Sequence, residues 1–242
     1  MTTLQTSPGG PAPFTRRSYD DLPHLMTLMT GDEKHDASAT STLDALWVLY
    51  DEVLQVDLTA PDDPSRDRLL LSKGHGPMAY YAVLAAHGLL TEDELVTFGQ
   101  LGSSLGHHPD RVLAAGVEIS SGSLGHGLGL GYGVALGQRL AGRDARTVVL
   151  LGDAEMEEGS GWEAVQQSGR AGLGRLLAVV IDNDSSGPGW PGGLAARFAL
   201  EEWTTVDVDG RDRTALAAAY RAADDDPDRP HVVIAHVEPK ES

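Results

Sequence analysis

The sequence contains no cysteine, which removes disulfides and thiolate metal sites from consideration. It is also poor in positive charge: 18 Lys and Arg stand against 36 Asp and Glu, for a net charge of −18. A nucleic acid partner needs a basic surface to neutralise its phosphates, so none is expected. No apolar run reaches bilayer length, and the opening "MTTLQTSPGGPAPF" has no apolar signal core. We therefore expect no membrane partner and a cytoplasmic location. Aromatic residues make up only 5% of the chain, but 41% of its residues are hydrophobic and 242 residues can enclose one large core.

What is present alternates between two kinds of segment. "RLLLS" (68–72), "RTVVLLGD" (146–153), "RLLAVVIDND" (175–184), "WTTVDVDG" (203–210) and "HVVIAHV" (231–237) read as strands. The near-continuous apolar runs among them suit central parallel strands. Helical spacing is expected over 20–29, 41–56 (with Ser41 and Asp44 as a capping box), 77–87, 91–101, the crossover "GWEAVQQSGRAGLG" and 212–226. The glycine-rich 122–140 reads as a buried helix, whose glycines let another backbone come close. Residues 1–17 read as a flexible tail and 18–242 as one domain. Strand–helix alternation predicts a three-layer α/β/α fold with a mostly parallel sheet.

In such sheets ligands sit beyond the carboxyl ends of the strands. Asp153 and Asn183 both lie there, thirty residues apart. Their side chains are hard oxygen ligands of the kind Mg²⁺ prefers, completed by water or substrate phosphates. Gly152 and Gly159 let the backbone bend around a bound group. A helix starting near Gly161 can aim its amides at an anion. Each residue alone is an ordinary turn former, and the pair at this spacing carries more weight.

"GDAEMEEGSGWEA…DND" resembles the thiamine diphosphate motif in the form found in transketolases. "LSKGHGPMAYYAVLAAHGLL", "GHHPD…GVEISSGSLGHGLGLGYGVALG" and "DVDGRD" resemble further segments of that family, in the same order, over residues 20–237. The resemblance implies a thiamine diphosphate-binding fold. It implies Mg²⁺ held by Asp153, Asn183 and the Ser185 carbonyl, with Gly152, Ala154 and Glu155 beside the diphosphate. It places His75 near the diphosphate, His108 near the donor end of the substrate, and Gly122, Ser123 and Leu124 against the aminopyrimidine. Glu158 would couple paired active sites, and His35, nine residues before Asp44, would bind the donor. Three departures stand out: Ala154 replaces a glycine, His126 a glutamine and Arg211 a histidine.

The family's pyrimidine domain, which supplies the glutamate that protonates the aminopyrimidine, has no counterpart here. The resemblance therefore implies the N-terminal subunit of a split transketolase. Such a subunit would transfer a two-carbon unit from a small ketose or 2-oxo donor, together with a separate pyrimidine-domain subunit. Self-association, with two copies of each chain, is expected. The alternatives are the diphosphate-binding subunit of a 2-oxo acid dehydrogenase and a non-catalytic partner-binding module. No HExxH occurs among the nine histidines, so zinc is not expected. His24, His87, His231 and His236 are read as surface or core residues. "GPGWPG" (187–192) matches GxGxxG in form, but its two prolines mark it as a loop.

Overall fold

A strand covered on both faces needs apolar side chains on both, and the apolar runs meet that need. In the computed structural model, which describes residues 16–29, 40–56, 60, 63–187 and 189–239, five strands form one sheet. They are β1 (Arg68–Leu71), β2 (Thr147–Gly152), β3 (Leu176–Asp182), β4 (Thr204–Asp209) and β5 (His231–His236). All neighbours pair in parallel, in the order β1-β2-β3-β5-β4. Every residue of β2 is buried, whereas β4 at the edge is half exposed.

Alternate residues of each strand feed two separate cores. Leu69, Val148, Val179 and Val233 join a cluster with α1 (Leu22–Leu28), α2 (Leu43–Val48), α3 (Met78–Ala86) and α4 (Glu92–Val96). Leu70, Val149, Val180 and Ile234 join a second cluster with α5 (Gly127–Leu140), α6 (Gly159–Ala171) and α7 (Gly193–Leu200). The last helix, α8 (Arg213–Ala222), returns to the first cluster. The reason is handedness. The chain steps past one strand position from β3 to β4, then doubles back to β5, and a right-handed crossover run in the opposite direction lies on the opposite face. The three-layer α/β/α expectation is met.

Several local expectations are corrected. The segment read as one helix over 41–56 starts at Leu43 and passes after Val48 into a π-helical turn, Leu49–Val53. No Ser41–Asp44 capping box forms. Thr42 occupies the N-cap position but its side chain does not cap the helix, and Asp44 accepts from the Tyr19 hydroxyl at 2.6 Å and from Arg211 at 3.0 Å. The helix expected over 91–101 ends at Val96, where Thr97 Oγ1 donates back to the Glu94 carbonyl at 2.7 Å. Its Thr91–Glu94 capping box is formed. The expected tail is pinned at its end. Arg17 N donates to the Ala86 carbonyl at 3.0 Å, and Arg16 pairs with Asp51 at 2.7 Å. Residues 1–15 lie outside the described ones.

The glycine-rich helix differs most. It begins at Gly127, not Gly122, and only one of its faces is buried. On the buried face two positions, Gly127 and Gly131, leave no room for a side chain. A Cβ on Gly131 would lie 2.3 Å from Val149 Cγ2, and one on Gly127 would lie 2.2 Å from Ser72 Cβ. On the open face Cβ atoms on Gly129, Gly133 and Gly137 would meet nothing within 4 Å, and Leu130 is 48% exposed. Val149 is β-branched on a central strand and cannot swing aside. Gly131→Ala should therefore lower the unfolding free energy by about 1–3 kcal/mol through overpacking. Gly133→Ala should raise it by up to about 1 kcal/mol through helix propensity. Urea unfolding of the dilute chain measures both, and a loss at Gly133 equal to that at Gly131 would show the open face to be covered within the monomer.

Candidate functional site

Register builds this site. Gly152 pairs with Ile181 across β2 and β3, and the next amide, Asp153 N, donates to the Ile181 carbonyl at 3.0 Å. The thirty-residue spacing thus places Asp153 beside Asp182–Asn183 at one end of two adjacent strands. On the other flank Ser72 N and Lys73 N both donate to the Leu150 carbonyl, at 2.9 and 3.1 Å. This brings the loop "SKGHG" to the same carboxyl edge.

Asp153 and Asn183 are 1% and 4% exposed. The Asp153 carboxylate accepts from Ser185 N at 2.6 Å, Ser185 Oγ at 2.7 Å and Ser186 N at 2.9 Å. Asn183 Oδ1 is buried and has no hydrogen-bond partner. A buried carbonyl oxygen left unmatched costs free energy unless a ligand completes it. Beside a buried carboxylate, it offers the hard oxygen donors that suit a small divalent cation. Among the described residues no group of three or more His, Asp or Glu could hold a metal, so a cation here would lean on Asn183, backbone and ligand oxygens. Ser185, expected to contribute its carbonyl, meets Asp153 through its amide and hydroxyl donors. Ala154 opens a 3-10 turn, Ala154–Glu157, without positive φ. The position therefore does not demand the glycine that Ala154 replaces.

Glu155, expected beside a diphosphate, turns its carboxylate to the protein. It is 2% exposed and accepts from Ser72 Oγ and from Gly125 N at 2.9 Å, while Gly127 N donates to the same Ser72 Oγ at 2.9 Å. One carboxylate thus braces the loop after β1 and the approach to α5. Burial pushes its pKa up, against the hydrogen bonds from Ser72 and Gly125 that pull it down. Gly125 has φ of +81°, and a Cβ there would sit 2.7 Å from Glu158 Cβ, so only glycine fits.

The remaining predicted residues are partly brought together. The His75 and His108 rings lie 6.3 Å apart, and a Cβ on Gly122 would be 3.3 Å from His108 Cδ2. Next to them a cleft of about 240 Å³ is lined by Ser72, Ser121, Gly122, Ser123, His126 and Gly127, with Ile119 and Leu130. His126, which replaces a glutamine, is therefore part of that wall. Leu124 is 42% exposed and outside the lining. Glu158 is exposed at the N-cap of α6, which starts at Gly159 and not near Gly161. His35 lies outside the described residues.

Three features escaped sequence reasoning. Lys73 is buried, with its side chain against Gly152. Its place in "SKGHG" was visible, but not its contact. His236, read as having no role, bridges Asp182 at 3.1 Å and Asp207 at 2.9 Å. Arg211, in place of a histidine, is taken up by Glu238 at 2.7 Å, Asp44 at 3.0 Å and the Thr40 carbonyl at 2.9 Å.

Residues 28–237 match the family described as "Transketolase, thiamine diphosphate binding domain". "Ferredoxin fas2" of Rhodococcoides fascians is 52% identical over 92% of this chain and 73% of that protein. An apulose-4-phosphate transketolase subunit of Phocaeicola vulgatus is 30% identical over 84% of this chain and 74% of that one. Among solved structures, a transketolase of Pichia stipitis superposes with a TM-score of 0.77 at 28% identity. That match covers 90% of this chain and 36% of the solved one, so the chain spans just over a third of its length.

The Glu155 brace can be tested without any ligand. Glu155→Ala strands the Gly125 amide and the Ser72 hydroxyl in a buried place, and should cost about 2–4 kcal/mol of unfolding free energy. Glu155→Gln keeps an oxygen for both donors and should recover most of that. Denaturant unfolding of the three proteins reads the difference, and an Ala variant as stable as the parent would remove the brace.

Proposed function

The chain belongs to the transketolase family of thiamine diphosphate-binding domains, and from that premise we propose that it is the diphosphate-binding subunit of a two-component ketol transferase. The observation that carries this reading is the buried Asp153–Asn183 pair, with Asn183 Oδ1 lacking a hydrogen-bond partner among the described residues. Asp153 and Asn183 would hold Mg²⁺, and the amides at the start of α6 would face the diphosphate. When bound, thiamine diphosphate supplies a nucleophilic carbon that accepts and passes on a two-carbon unit. His75 and His108 would orient donor oxygens and exchange protons with them, across the 6.3 Å that separates their rings. The cleft at Gly122, Ser123 and His126 would take one side of the aminopyrimidine.

The other side would come from a second polypeptide. The P. vulgatus relative is named as one subunit of its transketolase, and it is of similar extent. The R. fascians name does not describe anything this chain can do by itself, since a chain with no cysteine has no thiolate for an iron–sulfur cluster. The open face of α5, with its bare Gly129, Gly133 and Gly137 and exposed Leu130, would let a second copy of the chain pack closely. The smallest competent assembly would then hold two copies of each subunit. A cytoplasmic site of action fits this chemistry, and no described helix is long and apolar enough to cross a membrane.

Calorimetry on the assembled complex should find thiamine diphosphate binding that requires Mg²⁺ and weakens more than about tenfold in Asp153→Ala and in Asn183→Ala. Parent affinity in both variants would sink the site assignment. The isolated chain should not transfer ketol units, and adding the pyrimidine-domain subunit should switch activity on. Ketol transfer by the chain alone refutes the two-component reading. Consumption of a 2-oxo acid with a lipoyl acceptor instead would favour the dehydrogenase alternative. Gly133→Leu should shift the sedimentation of the concentrated chain toward monomer, and an unchanged mass moves the self-contact elsewhere.

A further inference from the structure

Arg197 occupies an unusual place. Its guanidinium carbon lies 3.5 Å from the ring centre of Trp190 and 3.6 Å from that of Trp162, and the two rings also meet edge to face at 5.8 Å, so it fills the corner between two indoles. Its Nη1 is buried without a hydrogen-bond partner. Burial pulls its pKa below the ordinary arginine value, with only Glu201 opposing. An arginine held this way has exchanged hydrogen bonds for ring faces, and it keeps its place through cation–π attraction.

The two rings stand on different segments of the chain. Trp162 sits on α6, fixed by its indole N–H donating to the Met156 carbonyl at 2.5 Å. It also packs on Phe198 at 5.3 Å, beside Arg197 on α7. Trp190 stands on the loop that leaves Asn183. It is 40% exposed, so the core does not hold it. Upstream, that loop is tied down by carboxylates only. Asp153 takes the Ser185 and Ser186 amides, and Glu157 takes the Gly187 amide. A cation on Asp153 would draw on the same oxygens. The contact to Trp190 is then the tie that does not compete with the ligand.

We propose that Arg197, packed on the edge-to-face pair of Trp162 and Trp190, is a positioning residue that latches the loop carrying Ser185–Gly187 to α6 and so holds the diphosphate–metal pocket in shape. The consequence for the cofactor rests on the function proposed above; the latch itself does not. Its role is to set how tightly the cofactor is held, not the rate of the chemistry.

Hydrogen exchange on the full chain tests the latch directly. Arg197→Ala and Trp190→Ala should each speed exchange at the amides of Ser185–Gly187 by roughly five- to tenfold, the scale of a lost cation–π contact, and leave β2 and β3 unchanged. Arg197→Lys should recover part of the protection and Trp190→Phe most of it. If Arg197→Ala also exposes β2 and β3, the chain has loosened globally, and Trp190→Ala decides alone because its ring is already exposed. Unchanged loop exchange in Trp190→Ala overturns the latch. In the complex with the pyrimidine-domain subunit, Arg197→Ala should raise the thiamine diphosphate concentration for half-maximal activity by a similar factor, with kcat unchanged at saturation. A fall in kcat without that shift overturns the positioning role. Should the parent complex bind no thiamine diphosphate, the functional reading falls while the exchange result still judges the latch.

Discussion

Parallel pairing of β2 with β3 in one register is the constraint on which the site rests. Because Gly152 meets Ile181, the residue that follows each strand emerges on the same edge, and Asp153 arrives beside Asn183. A slip by one residue would also turn every buried Val and Leu of β2 to the opposite core, so the two apolar clusters enforce the register that the site needs. Stability and site geometry are therefore one requirement. The continuous apolar runs that look like simple core sequence are what bring two polar residues to one edge of the sheet.

Around that edge, buried carboxylates organise the loops. Asp153 gathers the chain after β3, and Glu155 gathers the chain after β1 and before α5. Each is nearly fully buried, a costly place for a charge, and each is offset by several donors. The two differ in what remains. Glu155 uses only Oε1, for Ser72 and Gly125, and its Oε2 is buried without a partner among the described residues, whereas Asp153 uses both oxygens and the unmatched acceptor there is Asn183 Oδ1.

The glycines of α5 divide in the same way. Gly127 and Gly131 are required because the helix lies against Ser72 and Val149 with no space for a methyl. At Gly129, Gly133 and Gly137 a Cβ would meet nothing within 4 Å among the described residues. Glycine costs helix stability wherever it stands, so packing within the described residues does not account for the glycines of the open face. A single count of glycines could not separate these two groups, since the difference lies in what each face meets.

The sequence by itself determined the strands, the parallel three-layer architecture, the thiamine diphosphate motif and the pairing of Asp153 with Asn183. Apolar runs and fixed spacings are local properties, and local properties survive in one dimension. It misjudged helix ends at Ser41, Leu101 and Gly122: at the first, Tyr19 and Arg211 from distant segments take Asp44, and at the second Thr97 bonds back to the Glu94 carbonyl and ends the helix. The tertiary structure alone decided that Glu155 braces two loops, that Arg211 is consumed by Glu238 and Asp44, and that Trp190 meets Arg197. Those roles depend on which of many acidic, basic and aromatic side chains lie within a few ångströms of one another, and that is set by the packing of α2, α6 and α7 on the sheet. Proximity of this kind leaves no periodic trace along the chain.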